Sequence, residues 1–553
     1  MLKKLDIKRF GEFWNLVRII VLGAIALFLV YPFSSLVIQS FFSPKGTGIT
    51  LSNYRDFFSL PYYSSTLRRS LSVATTTMGT SLAIGIPIAY LMTRYNVFGK
   101  KTLHAMTIMS LMSPPFIGAY SWIVLFGRSG FITKLFAKVG VVVPTIYGRG
   151  GIIMVFTLMM FPYIYLYVSA AMSNIDRSLE EAAENLGSSS LRRLWTITLP
   201  VVFPSIASGA VIVFMTSLAD FGTPMLIGEG YKVLPVLIYE EYMSEMGGNA
   251  NLASALSVVI VCCSSVILMI QKWLVAKRNY TMTSMRPPQV VAVSGFKRFL
   301  VSLPVYVVTI IAILPQIVVL ITSFIKTNGP VFLKGFSLNS YRNILYRLSK
   351  PISNTFLYAF VAIVFIIVSG ILIAYLIVRK KGRTGSLLDL LVMFPYVIPG
   401  SVLGISLLVA FNKPPLLLTG TPLILIIAYV VRKLPFTVRS SSAFLHQMDP
   451  CIEEASINLG VSPMKTFFKI TARIMAPGVI SGAILSWITC INELSSSIML
   501  YTGKTATISV AVYTEVVRNS FGTAAALASI LSVSTALSLF LFMRVSKGSV
   551  SVV

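Results

Sequence analysis

Long apolar segments recur along the whole chain and leave little room for a soluble fold. Of the 553 residues, 56% are hydrophobic and only 12% are charged, whereas soluble proteins carry about a quarter charged residues. A helix needs about 20 apolar residues to cross the hydrocarbon layer of a bilayer. Twelve such segments can be placed, centred near residues 28, 80, 115, 160, 210, 263, 312, 365, 398, 424, 486 and 533. The sequence therefore predicts an all-α polytopic membrane protein with about 12 transmembrane helices.

The formal net charge of +28 does not indicate a nucleic-acid partner. Lys and Arg stand in short clusters between the apolar segments, which is how membrane topology is specified, and not as one phosphate-binding face. They are more numerous in the segments that share a side with the N-terminus, which predicts that both termini are cytoplasmic. The first apolar segment is too long for a signal peptide and no cleavage site follows it, so we interpret it as an uncleaved span.

Residues that could carry chemistry are scarce. The four cysteines show neither metal nor disulfide spacing, and His104 and His446 cannot form a metal site alone. Charged residues inside the predicted spans are also few, with Arg18 and Asp389 the clearest, because the basic residues from 432 to 473 are assigned to a cytoplasmic loop. A proton-coupled carrier generally needs a titratable group at mid-membrane. A 12-span secondary transporter is therefore the weaker alternative, and we expect no catalytic, cofactor-binding or metal-binding residue.

The two halves of the chain are copies of one unit. EEAAENLG at 180–187 matches EEASINLG at 453–460, and the offset of 453 − 180 = 273 also aligns Pro204 with Pro477. Such self-similarity indicates duplication of a structural unit. With an even number of spans in each unit, the copies face the same way, and a pathway is expected between them.

A polar, basic segment with the sequence Arg286-Pro287-Pro288 separates the copies. We predict a first six-span repeat at 1–275, a cytoplasmic linker at 276–298 and a second six-span repeat at 299–553. Each repeat carries a long cytoplasmic loop, at about 172–200 and about 435–473.

Local chemistry in each loop specifies a short helix. Asp176 or Ser178 can cap the first helix and Asp449 the second, glutamates occupy each first turn, and Gly187 and Gly460 can end the helices. A face of small and apolar residues suits each helix to a groove in a partner protein. The alternative is a helix that rests on the bilayer surface, which would not need to repeat these residues in register.

The loops carry a family signature: E-A-A, three residues, Gly, nine residues, Ile-x-Leu-Pro. The first loop has Glu181-Ala182-Ala183, Gly187 and Ile197 to Pro200 at every expected spacing. The second keeps the Glu, the first Ala, the Gly and the Ile, but departs from the pattern at Ser456, Ala472 and Arg473. Over essentially its whole length the chain resembles a fused permease subunit of the binding-protein-dependent ATP-binding-cassette importers, with the type I permease fold.

The resemblance implies a transport subunit in a bacterial inner membrane and not an enzyme. ATP and Mg²⁺ would be bound by a dimer of separate cytoplasmic ATPase subunits, which receive one coupling helix from each repeat, and an extracytoplasmic binding protein would deliver the substrate. The implied coupling residues are Glu180, Glu181, Ala182, Ala183, Gly187, Glu453, Glu454, Ala455 and Gly460.

Two further segments concern the substrate. LADFGTPMLIG at 218–228 and VLPVLIY at 233–239 resemble the subgroup that imports ferric iron, while relatives in that subgroup serve thiamine, 2-aminoethylphosphonate or sugar phosphates. Residues 220–251 are acidic, and the repeat offset makes Asp220 equivalent to Glu493. We expect these two carboxylates at the outer mouth of the pathway, where they favour a cationic substrate or bind lysines of the binding protein. Alternatively, they are solvated acids that keep the loop outside.

Overall fold

The computed structural model describes residues 2–43, 48–111, 113–142, 144–244, 248–276, 290–380 and 382–545. The central part of the predicted linker, with Arg286, Pro287 and Pro288, lies outside these residues, as does Glu245 of the acidic segment.

Helices account for almost all of the first repeat. They are α1 (Leu2–Ile25), α2 (Tyr31–Ser40), α3 (Ser52–Ser59), α4 (Pro61–Arg94), α5 (Lys100–Leu111), α6 (Pro115–Phe126), α7 (Phe131–Ala137), α8 (Arg149–Ser173), α9 (Arg177–Asn185), α10 (Ser190–Arg193), α11 (Leu199–Ala219), α12 (Gly222–Ile227), α13 (Leu234–Met243) and α14 (Ala250–Ala276).

The second repeat has corresponding helices in the same order. Its elements are α15 (Gly295–Thr322), β1 (Ile325–Asn328), β2 (Val331–Phe336), α16 (Asn339–Arg347), α17 (Ser349–Val378), α18 (Arg383–Met393), α19 (Gly400–Phe411), α20 (Pro422–Gln447), α21 (Cys451–Asn458), α22 (Pro463–Thr466), α23 (Ala472–Ile491), α24 (Ser497–Leu500), α25 (Ile508–Val517) and α26 (Phe521–Val545). Even the π-helical turn before α11, Leu194–Thr198, recurs before α23 as Phe467–Thr471.

One short hairpin departs from the helical fold. β1 and β2 pair antiparallel, with Asn328 opposite Val331, and Gly329 between them has a φ of +57°. The two residues between this pair are Gly329 and Pro330, and glycine is typical of the first central position of a two-residue hairpin turn because it adopts positive φ readily. The all-α prediction did not include this hairpin.

Among the described residues, nine helical segments are long and apolar enough to cross a membrane unaided. Two bent pairs, α5 with the helices from Phe116 to Ala137 and α18 with α19, bring the number to 11 if each pair is one span. The predicted span near 424 is helix α20. It is 26 residues long but carries the cationic side chains of Arg432, Lys433 and Arg439, which lowers its apolarity.

The first span of each repeat packs against the other repeat. Trp14 of α1 is 1% exposed and stacks on Tyr375 of α17, with ring centroids 4.3 Å apart. In the reciprocal contact, Gln316 of α15 donates to the carbonyl of Met109 at 2.7 Å. The two repeats are therefore interlocked through their first helices.

Candidate functional site

Helices α9 and α21, which we call the coupling helices, begin and end as the sequence predicts. The backbone N–H of Ser178 donates to Asp176 Oδ1 at 2.9 Å, and the N–H of Cys451 donates to Asp449 Oδ1 at 2.9 Å. The second bond lowers the pKa of Asp449 below its usual value. After each helix a glycine has positive φ, as is common where helices end.

In the first coupling helix, Glu180 binds the adjoining ends of the membrane helices. Its carboxylate forms a bidentate ion pair with Arg94, the last residue of α4, and accepts a hydrogen bond from Thr198 Oγ1 at 3.3 Å. The Arg94 side chain is only 7% exposed. Bidentate charge-assisted hydrogen bonds fix geometry as well as contribute energy, so α9 is held against α4 and the start of α11.

The second coupling helix repeats this contact with equivalent residues. Arg379 Nε lies 3.4 Å from Glu453 Oε1, and Thr471 Oγ1 donates to the same oxygen at 3.0 Å. We call these two networks, Arg94–Glu180–Thr198 and Arg379–Glu453–Thr471, the loop anchors. They place both coupling helices in the same relation to their membrane helices.

The remaining coupling residues divide between a buried and an exposed face. Ala183 and its equivalent Ser456 are buried, whereas Ala182, Ala455 and Glu454 are exposed. Glu181 is 41% exposed, and its carboxylate forms an ion pair within its own helix, with Arg177 at 2.5 Å.

The sequence predicts Leu186 and Leu459 on the small and apolar face of each coupling helix. Leu186 is 87% exposed and Leu459 is 86% exposed, and each directly precedes the terminal glycine. Their position is identical in the two copies. Single exposed apolar residues are common on protein surfaces, so it is the repetition of this leucine in both copies, and not its exposure alone, that sets it apart.

Asp220 and Glu493 lie directly after α11 and α23, as the repeat offset requires. Neither is a solvated mouth residue, because their exposed fractions are only 8% and 6%. The N–H of Thr223 donates to Asp220 at 2.9 Å, and the N–H of Ser496 donates to Glu493 at 3.1 Å. Each carboxylate thus accepts a backbone N–H at or beside the start of the short helix that follows it, α12 or α24.

Glu493 also has two cationic partners that sequence reasoning placed elsewhere. Lys433 Nζ lies 2.6 Å from Glu493 Oε2, and Arg432 lies 3.3 Å from Oε1. We predicted that Arg432 and Lys433 belong to the cytoplasmic segment from 432 to 473, but α20 continues to Gln447, so both lie inside this helix. The expected scarcity of charged residues therefore does not hold for α20.

The acidic outer segment is largely paired as well. Glu229 forms an ion pair with Arg128 at 3.0 Å, and Glu240 forms one with Lys232 at 2.6 Å. Within the part of the chain that the structure describes, no three His, Cys, Asp or Glu side chains form a group that could hold a metal ion.

Comparison with known proteins agrees with this arrangement. The family model of the binding-protein-dependent transport system inner membrane component matches twice, at residues 81–280 and 366–549. The chain belongs to this family. It is a fused, duplicated permease of the multi-pass inner membrane type, and the two matches correspond to the two repeats.

Three relatives extend the comparison. The ferric transport system permease protein FbpB of Actinobacillus pleuropneumoniae is 29% identical over 77% of this chain and 63% of its own length. The Fe(3+)-transport system permease protein FbpB 2 of Haemophilus influenzae is 25% identical over 91% of this chain and 92% of its own. The molybdenum transport system permease protein ModB of Haemophilus influenzae is 31% identical over 38% of this chain but 92% of its own. This chain thus spans less than two thirds of the length of the first relative. The shorter ModB permease matches only part of this chain.

Proposed function

We propose that this permease forms the translocation pathway of an ATP-driven importer whose substrate is ferric iron. The observation that supports this substrate is the similarity to permeases named for ferric transport, one of which is matched over 91% of this chain. Carboxylates suit Fe(III) as hard oxygen ligands in principle, but we assign no resident iron site to this chain. The alternatives are import of thiamine, 2-aminoethylphosphonate or a sugar phosphate.

The proposed partners follow from the two coupling helices. A dimer of cytoplasmic ATPase subunits, which bind ATP and Mg²⁺, would receive one helix each, with Leu186 and Leu459 as apolar anchors. An extracytoplasmic binding protein would deliver the substrate to the opposite face. In this arrangement both termini and both coupling loops are cytoplasmic, in keeping with the positive-inside rule.

The loop anchors suggest how ATPase motion reaches the pathway. Glu180 joins α9 to α4 and to the residues that begin α11, and Glu453 makes the same connections in the second repeat. A displacement of the coupling helices would therefore move the helices that carry Asp220 and Glu493 at their far ends. Alternating access between the repeats is the expected result.

Substrate uptake is the direct test of the proposed substrate. Cells that lack their own ferric importers and express the full-length permease with its partner subunits should accumulate radiolabelled ferric iron. Excess thiamine, 2-aminoethylphosphonate or glycerol phosphate should not reduce this uptake. Iron uptake equal to that of cells without the permease, together with uptake of one of the other compounds, would refute the ferric assignment.

A further inference from the structure

The proposed transport cycle assigns no task to Arg432 and Lys433, which are charged and lie in the interior. Lys433 is 7% exposed and Glu493 is 6% exposed, and the Arg432 side chain is 22% exposed. Burial of charged groups is unfavourable unless they are well paired. Three such groups in one contact therefore need an explanation beyond packing.

The cluster occurs in the second repeat alone. At the repeat offset of 273, Arg432 and Lys433 correspond to Met159 and Met160 of α8. A third position differs in the same way, because Tyr429 corresponds to Phe156. Polar groups thus replace apolar ones at three places on the same membrane helix.

These polar groups of α20 all contact the segment from 492 to 500, which we call the inner segment. The Tyr429 hydroxyl lies 2.7 Å from Ser497 Oγ, and both cations contact Glu493. In the first repeat Ser497 is replaced by Pro224, which has no side-chain polar atom. The second repeat therefore ties its inner segment to α20 by contacts that the first repeat does not have at these positions.

The inner segment lies where the two repeats meet. A Cβ atom placed on Gly222 would lie 3.1 Å from Leu494 Cδ2 and 3.2 Å from Phe116 Cβ, so the first repeat approaches Leu494 closely. Leu494 and Phe221 are 4% and 0% exposed, so both are buried where the repeats meet.

We propose that Arg432, Lys433 and Glu493 form an ionic lock that holds the inner segment across the pathway in the closed conformation. This inference rests on the proposed function only in assuming that the pathway runs between the repeats. Separating buried opposite charges is unfavourable in a low dielectric, so the lock opposes opening until the coupling helices drive it. Because one repeat carries the lock, opening depends on the second repeat.

Cys490 provides a native reporter for this lock. It is 1% exposed, and its carbonyl accepts the backbone N–H of Glu493 at 3.1 Å. The other three cysteines, Cys262, Cys263 and Cys451, can be replaced by Ser. The full-length chain in lipid nanodiscs is then treated with a water-soluble methanethiosulfonate, and the rate of Cys490 modification is followed by mass spectrometry. No ATPase or substrate is needed, so the result is independent of whether the cargo is iron.

We call the chain without the other three cysteines the background protein. The lock predicts slow modification of Cys490 in this protein and faster modification when one residue of the ionic lock is replaced. Glu493→Gln and Lys433→Met should each increase the rate about tenfold or more, which corresponds to ~1.4 kcal/mol of lost closure. Lys433→Arg retains the positive charge and should react as slowly as the background. Lys232→Met is the matched control, because Lys232 forms an ion pair of the same length with Glu240 outside the cluster.

Two results would overturn the lock. In one, Glu493→Gln and Lys433→Met leave Cys490 protected while the purified chain remains monodisperse. In the other, Lys232→Met or Lys433→Arg accelerates the reaction as much as Lys433→Met, which would indicate general loosening of the fold.

Discussion

At the scale of single residues, adjacent glutamates in each coupling loop have different surroundings. Successive residues on a helix point about 100° apart, so Glu180 faces Arg94 and Thr198 while Glu181 faces outward beside Arg177. In the second copy Glu453 takes the inward position and Glu454 is exposed. We expect the first glutamate to position the helix and the second to be available to a partner.

This division predicts unequal effects on stability. Glu180→Ala removes charge-assisted hydrogen bonds to a nearly buried arginine and should lower the free energy of unfolding by about 2 kcal/mol. Glu181→Ala removes an exposed ion pair within one helix and should change the free energy of unfolding by less than about 0.5 kcal/mol. Thermal unfolding of the purified chain in detergent measures both. Equal melting temperatures for the two variants would contradict the assigned orientations.

The sequence predicted which residues of the two repeats are equivalent, but not how buried they are. The offset of 273 made Asp220 and Glu493 equivalent, and each accepts the backbone N–H of the residue three positions later. Their burial was not predicted, because the partners of Glu493 come from 60 residues earlier on another helix. Comparing the repeats at Pro162 and Pro435, both inside helices, would have placed Arg432 and Lys433 in the membrane.

At the scale of elements, the glycines that end the coupling helices are constrained by conformation alone. Gly187 and Gly460 have φ values of +77° and +91°, and a Cβ atom on either would meet nothing within 4 Å. A substitution therefore acts through backbone strain and not through a clash.

Two substitutions at these glycines should give opposite results. Gly187→Val with Gly460→Val should cost about 1–2 kcal/mol per site, because β-branched residues avoid positive φ, and should displace Leu186 and Leu459 from their positions. Transport should fall while ATP hydrolysis by the complex continues. Gly187→Asn with Gly460→Asn is the control and should retain transport, since Asn tolerates this conformation. Normal uptake in the valine variant would exclude the coupling role of these turns.

The coupling helices were predictable because capping residues, glutamates and glycines act locally. The end of α20 was not predictable, because Pro435 lies inside that helix and the charged residues of the helix resemble those of a loop. Charge counts alone could not separate a lysine buried against a glutamate from one in a cytoplasmic loop.

At the scale of the whole molecule, the exchanged first helices connect each repeat to the other. Trp14 of α1 stacks on Tyr375 and packs edge-on against Phe467, 4.9 Å between centroids, in the π-helical turn after the second coupling helix. The N-terminal span therefore supports the coupling region of the opposite repeat.

The contact of Trp14 with Phe467 predicts that a substitution in α1 affects a turn far along the chain. Trp14→Ala should destabilise the protein by about 3 kcal/mol or more, as expected for a large buried aromatic residue. Hydrogen exchange should increase at Phe467–Thr471 more than at the equivalent Leu194–Thr198. Equal increases in both turns would contradict a selective link between α1 and the second repeat.

The duplicated helical architecture was predictable from apolar segment length and from the internal repeat. The packing of each first helix against the opposite repeat was not predictable, because the sequence pattern of an apolar span does not specify which helices lie beside it. The hairpin β1–β2 was missed because an apolar count treats the region after α15 as a loop, although the Gly329-Pro330 pair suits a hairpin turn that begins with glycine.

We expect each of the two equivalent coupling helices to bind one ATPase subunit. The measurement that tests it most directly is native mass spectrometry of the tagged, full-length permease purified from solubilised membranes. We predict two ATPase subunits per permease chain, and none after Leu186→Asp with Leu459→Asp, which place charge on the exposed leucines. Leu345→Asp, at a leucine 71% exposed on α16, should leave the complex intact. A permease that purifies without an ATPase, or that keeps both subunits in the double variant, would contradict the account.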